Sequence, residues 1–281
     1  MSAADRTLDM EAPTDESDAR RRLGRRDLGL TILTFATILA LWTAVTGSGL
    51  WEPVIRPVFL PSPLTVFQTF VSLIENGYQG RSLGHHVGVS FYRFAIAFSL
   101  CILVGVPVGL LMGTSRTIRA IVEPPIQAIR PIPKLALLPL FLIWFGIGNL
   151  SKIVVIAAPV FPLIAISAMQ AVRSVSTKKI QAAQSLGASS WIVFRRILLP
   201  ASLPGIFTGI RVSISIGVTM LVGAELTATS DGIAWMALTA AEYLQTDIVL
   251  VGVLIMAAMG YVLDRAFLLL ETNLVHWTGK D

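Results

Sequence analysis

The sequence predicts an all-α membrane protein, and three observations carry that expectation. First, the 281 residues are 54% hydrophobic against 14% charged, with a mean hydropathy of +0.73, more apolar than a soluble domain needs for its core. Second, six apolar stretches, 28–47, 86–112, 119–147, 151–172, 203–229 and 247–271, are long enough to cross the membrane; a helix needs ~20 residues to span a ~30 Å hydrocarbon layer. Third, Lys and Arg gather where those stretches end.

The chain opens with an acidic segment containing Ser and Thr up to residue 19, and 1–27 is expected to be a disordered cytoplasmic tail. Arg20-Arg21-Arg22 and Arg25-Arg26 then precede the apolar segment 28–47, as in a signal peptide. No small-residue cleavage site follows, so 28–47 is expected to be an uncleaved first span. In the third stretch Pro124, Pro125, Pro131, Pro133 and Pro139 interrupt backbone hydrogen bonding. Such breaks are tolerated only inside protein or beside a wet cavity.

Positive residues stay on the cytoplasmic side of a membrane. Arg20 to Arg26, Arg116 with Arg119, and the group Arg173, Lys178, Lys179, Arg195 and Arg196 all fall on one side if six spans alternate. Both termini are then cytoplasmic. The opposite side receives 48–85 and 230–246, and the latter contains Asp231 and Glu242 but no Lys or Arg.

The net charge of +5 does not point to nucleic acid, because the cations are not interleaved with aromatics in a soluble patch. The single cysteine, Cys101, lies in an apolar run and builds no disulfide or cysteine-rich metal site within one chain. His85 and His86 are adjacent and face different sides of a helix, which disfavours a metal site. Neither a Gly-x-x-x-x-Gly-Lys-[Ser/Thr] loop nor a His-Glu-x-x-His or Gly-x-Ser-x-Gly motif is present, so no ATPase, metal or nucleophile chemistry and no cofactor is expected.

The most informative segment is the loop 174–200 between the fourth and fifth spans. It reads Lys178-Lys179-Ile180-Gln181-Ala182-Ala183-Gln184-Ser185-Leu186-Gly187-Ala188-Ser189-Ser190-Trp191 and closes on Ile197-Leu198-Leu199-Pro200. Gly187 suits a left-handed cap ending one short helix, a Ser suits the start of a second, and Pro200 is expected to stop it. Ala182 and Ala183, with Gly187 four positions on, predict a small-residue face that another protein's backbone approaches closely.

Ala-Ala, three residues, Gly, nine residues, Ile, one residue and Leu-Pro resembles the signature loop of binding-protein-dependent ABC permeases. The family's usual first residue is Glu, and here it is Gln181. The resemblance runs from about Leu28 onward and implies a type I ABC importer permease fold over 82–275, with 174–200 as the cytoplasmic coupling loop. On it, Gln181, Ala182, Ala183, Gly187, Ile197 and Pro200 make the ATPase-coupling positions. The resemblance implies two copies of a separate ATP-binding subunit, a periplasmic or extracellular substrate-binding protein, a permease homodimer and a place in the bacterial inner membrane.

Arg130-Pro131-Ile132-Pro133-Lys134-Leu135-Ala136 and Trp144-Phe145-Gly146-Ile147-Gly148 are similar to the branch importing nitrate, bicarbonate, taurine, alkanesulfonates and thiamine precursors. Ala182 to Ser189, Ala224-Glu225-Leu226 and His276 to Lys280 look most like taurine permeases. Taurine or a related sulfonate is the implied cargo, with alkanesulfonate and then nitrate as alternatives. A secondary transporter driven by an ion gradient is the rival class; it predicts intramembrane carboxylates and an inverted repeat. Glu225 is the one central carboxylate, and no repeat is evident.

Ionisable residues within apolar spans face a bundle interior or a pathway. Arg130 and Lys134, in the proline-broken span, either offer a sulfonate a transient site or hold the break together through Glu123 or carbonyls. Glu225 is expected to pair with Arg93 or Arg211, with a role in the pathway as its other reading. Gly105, Gly109 and Gly113 suit close helix packing.

Overall fold

The computed structural model describes residues 15–47, 52–227 and 229–275, with side chains from residue 29 onward. The chain forms two compact units, Met1–Thr65 and Val66–Asp281. In the first, α1 (Asp15–Thr46) starts well before the expected residue 28. The early start follows from sequence, because acidic Asp15, Glu16 and Asp18 suit a helix N-terminus and Ala19 to Leu23 are strong helix formers. Only 1–14 of the expected tail lies outside the described residues. At its other end Thr46 bonds back to the Trp42 carbonyl at 2.8 Å, and the Trp42 indole donates to Pro61 at 3.1 Å.

Among the described residues the second unit is helical apart from its connections. In order come α2 (Pro63–Asn76), α3 (Leu83–Thr114), α4 (Arg116–Ile129), a 3₁₀ turn (Lys134–Leu137), α5 (Leu138–Phe145) and α6 (Asn149–Arg173). Then follow α7 (Thr177–Ser185), α8 (Ser190–Val193), a π turn (Phe194–Leu198), α9 (Leu199–Glu225), α10 (Ile233–Glu242) and α11 (Thr246–Leu274). Among the described residues five helical segments are long and apolar enough to span: Gly29–Thr46, Leu83–Thr114, Asn149–Arg173, Ser190–Glu225 and Thr246–Leu274.

The sixth expected span, 119–147, is two pieces rather than one. Arg116–Ile129 and Lys134–Phe145 meet at 85°. The break sits at Pro131 and Pro133, each of which lacks an N–H to donate, while Arg130 keeps helical backbone angles as the last residue of the turn (φ −56°, ψ −47°). Pro124 and Pro125, also expected to interrupt the chain, lie inside continuous α4. Their missing N–H groups leave only the carbonyls one turn earlier unpaired.

The core is built where α3, α6 and α9 meet, around Phe94, Phe98, Ile156, Val160, Ile164, Ile214 and Leu221. Between lipid-embedded helices there is little hydrophobic driving force, so close approach of small residues has to supply the packing. A Cβ placed on Gly109 would lie 2.3 Å from the Ala165 carbonyl oxygen, and one on Gly113 would lie 2.6 Å from Val172 Cβ. Gly209 does the same on α9, where a Cβ would meet Ser167 Cβ at 2.3 Å. The four-residue glycine spacing of α3 thus brings its backbone onto α6, and α6 in turn receives α9.

Candidate functional site

The loop 174–200 is ordered from end to end. α7 closes in a Schellman motif: Ala188 N–H donates to the Ala183 carbonyl at 3.0 Å and Gly187 N–H to the Gln184 carbonyl at 2.9 Å. Gly187 holds the left-handed position at φ +83°, which an L side chain resists. It is therefore the turn after the helix and does not lie on one helical face with Ala182 and Ala183. Gln181 and Ala182 are exposed, and Ala183 is half-buried. Ser189 accepts from Ile192 N–H at 3.4 Å and starts α8.

Pro200 does not stop the helix, contrary to expectation. The π turn Phe194–Leu198, which contains Ile197, widens the backbone just ahead of the proline, and Pro200 enters the first turn of α9, where its missing N–H is tolerated. The segment from Ser190 to Glu225 is consequently one helical rod with the rest of the loop 174–200 leading into it. At that end the apolar side chains of Leu186 and Trp191 are 89% and 65% exposed.

The other end of the rod enters a buried ionic network. Glu225 is 0% exposed and Arg93 3%, with Arg93 Nη1 2.9 Å from Glu225 Oε1. Ser90 Oγ donates to the same carboxylate at 2.8 Å, and Ala234 N–H donates to Oε2 at 3.1 Å. Arg93 also reaches the Asp231 carboxylate, the Asn149 side chain at 2.9 Å and Thr229 at 3.2 Å. The first N–H groups of α10, which have no partner within their own helix, are taken by side chains of others: Gly232 by His86 Nδ1 at 3.3 Å, Ile233 by Ser90 at 2.8 Å and Ala234 by Glu225. A carboxylate at a helix N-terminus also suits the helix dipole.

Gly232 makes this close approach possible. It sits at φ +113°, and a Cβ there would fall 2.4 Å from the Glu225 carboxylate. Burial alone would raise the Asp231 carboxyl, but the hydrogen bond and charge of Arg93 outweigh it and hold the group below the ordinary carboxylate range. Arg81 adds a second cation at 2.8 Å.

Arg211, the other expected partner of Glu225, instead clasps α11, with Nε and Nη2 2.9 and 3.1 Å from the two Asp264 oxygens. At the break after α4, exposed Arg130 reaches Gln127 Oε1 at 3.0 Å. Lys134 is only 7% exposed and donates to the carbonyls of Ile129, Arg130 (3.3 Å) and Ile132 (2.7 Å). Neither is ion-paired with Glu123 among the described residues. Sequence reasoning missed Ser90, Asn149, Asp231 and Gly232. The Asp-Gly pair ahead of a new helix was the available signal for the last two.

Residues 105–276 match the family of the binding-protein-dependent transport system inner membrane component. The chain belongs to that family. It is 40% identical to the taurine transport system permease protein TauC of Escherichia coli (strain K12), over 91% of this chain and 92% of that one. It is 35% identical to an aliphatic sulfonates transport permease protein, SsuC, of Bacillus subtilis (strain 168), over 95% of each. The nitrate import permease protein NrtB of Synechocystis is 30% identical over 77% of this chain and 80% of its own. Among solved structures, an inward-facing MetNI methionine ABC transporter is similar at a TM-score of 0.50 and 22% identity, covering 66% of this chain and 95% of that chain. That likeness shows the type I permease fold. This permease is thus the multi-pass inner-membrane transport subunit of an ABC importer. The ATPase resides in a separate subunit, and a substrate-binding protein is the other partner.

Proposed function

We propose that this permease carries taurine, or a closely related sulfonate, into the cytoplasm. The observation behind this reading is the 40% identity with the taurine permease TauC over 91% of the chain. Two identical copies face each other, and each presents one coupling loop to an ATPase dimer. Gln181, Ala182, Ala183, Gly187, Ile197 and Pro200 form the coupling element, supported by the capped α7 and the exposed apolar groups beside it. ATP binding draws the two loops together, the rod Ser190–Glu225 moves with its loop, and the cavity opens outward; hydrolysis resets it.

Both termini face the cytoplasm in this reading, supported by the Lys and Arg distribution. Reporter fusions at residues 115, 176 and 281 then score cytoplasmic and a fusion at 235 external; the reverse at 176 overturns the coupling assignment. Arg130, exposed beside the break, is the pathway cation, while Lys134 and Glu225 hold the frame around the pathway.

Cargo is tested by deleting the gene and measuring uptake of labelled taurine, with ethanesulfonate and nitrate as competitors. Loss of taurine uptake on deletion supports the assignment. Intact taurine uptake with loss of ethanesulfonate uptake favours the alkanesulfonate reading, which the similarity to SsuC over 95% of the chain also supports.

A further inference from the structure

A groove of about 600 Å³ lies between the coupling loop and the helix ends beneath it. Its walls include Leu111 and Thr114 from the last turn of α3, Val172 and Arg173 from the last turn of α6, and Trp191 and Phe194 from the start of the rod. Two spanning helices terminate here, so the groove lies at the level where hydrocarbon gives way to water and headgroups. Trp191 and Phe194 stack with ring centroids 5.7 Å apart, and Trp191 remains largely exposed, as aromatic residues do in a membrane interface.

The charged residues of the groove lining and of the loop beside it have one sign. No Asp or Glu occurs between Glu123 and Glu225, while Arg173, Lys178, Lys179, Arg195 and Arg196 all fall in or beside the loop. Arg173 lines the groove, is exposed, and has no ion-pair or hydrogen-bonding partner for its side chain among the described residues. An apolar trough at headgroup depth with an uncompensated cation at its mouth has the chemistry of an anionic amphiphile. We propose that this groove seats an anionic phospholipid, one acyl chain lying along Leu111, Val172 and Phe194 and the phosphate paired with Arg173.

A lipid there would brace the coupling loop against the ends of α3 and α6, so that movement of the loop reaches the bundle without slack. The reading of 174–200 as the cytoplasmic coupling loop determines only which leaflet supplies the lipid; the site itself rests on the groove, its depth and its charge.

Native mass spectrometry of the delipidated permease tests this, alone and bound to its ATPase, titrated with phosphatidylglycerol or with phosphatidylcholine of the same chains. The expected result is one tightly held phosphatidylglycerol per permease, with phosphatidylcholine bound at least about five-fold more weakly. Arg173→Gln lowers the phosphatidylglycerol affinity about five-fold, and Leu111→Trp, which fills the trough, lowers it further. Ile180→Gln on another part of the lining serves if Leu111→Trp does not accumulate. Arg119→Gln, outside the groove lining, changes nothing. Equal affinity for both lipids, or wild-type retention in Arg173→Gln and the groove variants, overturns the proposal. So does loss of the lipid on adding the ATPase, which would make that subunit the occupant. Failure of the ATPase to bind while phosphatidylglycerol stays bound would count against the coupling assignment and leave the lipid site standing.

Discussion

Arg93 and Glu225 meet at 2.9 Å where neither has solvent, so each is the other's principal compensation for leaving water. Removing one member of such a pair strands the other, which typically costs about 3–5 kcal/mol. Arg93 keeps Asp231 as a second partner, so Glu225→Gln is expected at the lower end, about 3 kcal/mol. Denaturant titration of the purified permease measures it. An unchanged unfolding free energy would mean that the network is held together without this charge.

Asp231 makes the same network sensitive to acid. Its carboxyl is held below the ordinary value when folded, so its contribution to stability is present above the unfolded value and is lost as pH falls through the folded one. Asp231→Asn should therefore lower the melting temperature at about pH 7, and the gap from wild type should close as pH falls below the ordinary carboxylate range. A gap that stays constant across that range would assign the effect to packing instead of charge.

How much of this was legible in sequence depends on whether the determining partner was near in the chain. The loop 174–200 could be read because Gly187, Ser189 and the small residues act on their immediate neighbours. Spans could be read because hydropathy is a property of composition. Arg93 against Glu225 emerged only as one of two choices, since no local pattern separates it from Arg211, whose true partners Asp264 and Glu271 lie on another helix. The π turn before Pro200 was invisible for a related reason: the proline's preference to stop a helix is local, whereas the packing of a rod 36 residues long against α6 overrides it.

Gly187 separates backbone strain from contact. Nothing lies within 4 Å of a Cβ built there, yet φ is +83°. Gly187→Ala adds little bulk but should strain the cap by about 1–2 kcal/mol. Gly187→Asn, which tolerates that conformation, should recover most of the function, while Gly187→Trp should block the ATPase sterically. Co-purification of the ATPase is the readout, with the order glycine, asparagine, alanine, tryptophan. Alanine equal to glycine would remove the cap from the coupling argument.

Gly109 and Gly88 form a matched pair on α3. A Cβ at Gly109 collides with the Ala165 backbone, whereas one at Gly88 meets nothing within 4 Å. Gly109→Val should force α3 from α6 and abolish accumulation in the membrane, with Gly88→Val near wild type. Equal accumulation of the two would show that the small-residue interface does not set the packing distance.

The break between α4 and α5 separates two cations that look alike in sequence. The Lys134 ammonium donates to the carbonyls of Ile129, Arg130 and Ile132 at the proline-interrupted end of α4, and the Ile129 carbonyl also takes the Ile132 N–H at 3.2 Å. Lys134→Met removes the donor that these carbonyls share in a part-buried site, so the permease should accumulate poorly. Among the described residues Arg130 makes one side-chain hydrogen bond, to Gln127, and is otherwise exposed. Its guanidinium presents the planar, two-pronged geometry that suits a sulfonate, which an ammonium does not reproduce. Arg130→Gln should therefore leave abundance and ATPase docking intact while slowing uptake, and Arg130→Lys should recover only part of the rate. The decisive comparison is uptake per molecule of permease in the membrane. If Arg130→Gln transports at the wild-type rate per molecule, the anion crosses without this cation, and the exposed guanidinium is left as a solvated helix end.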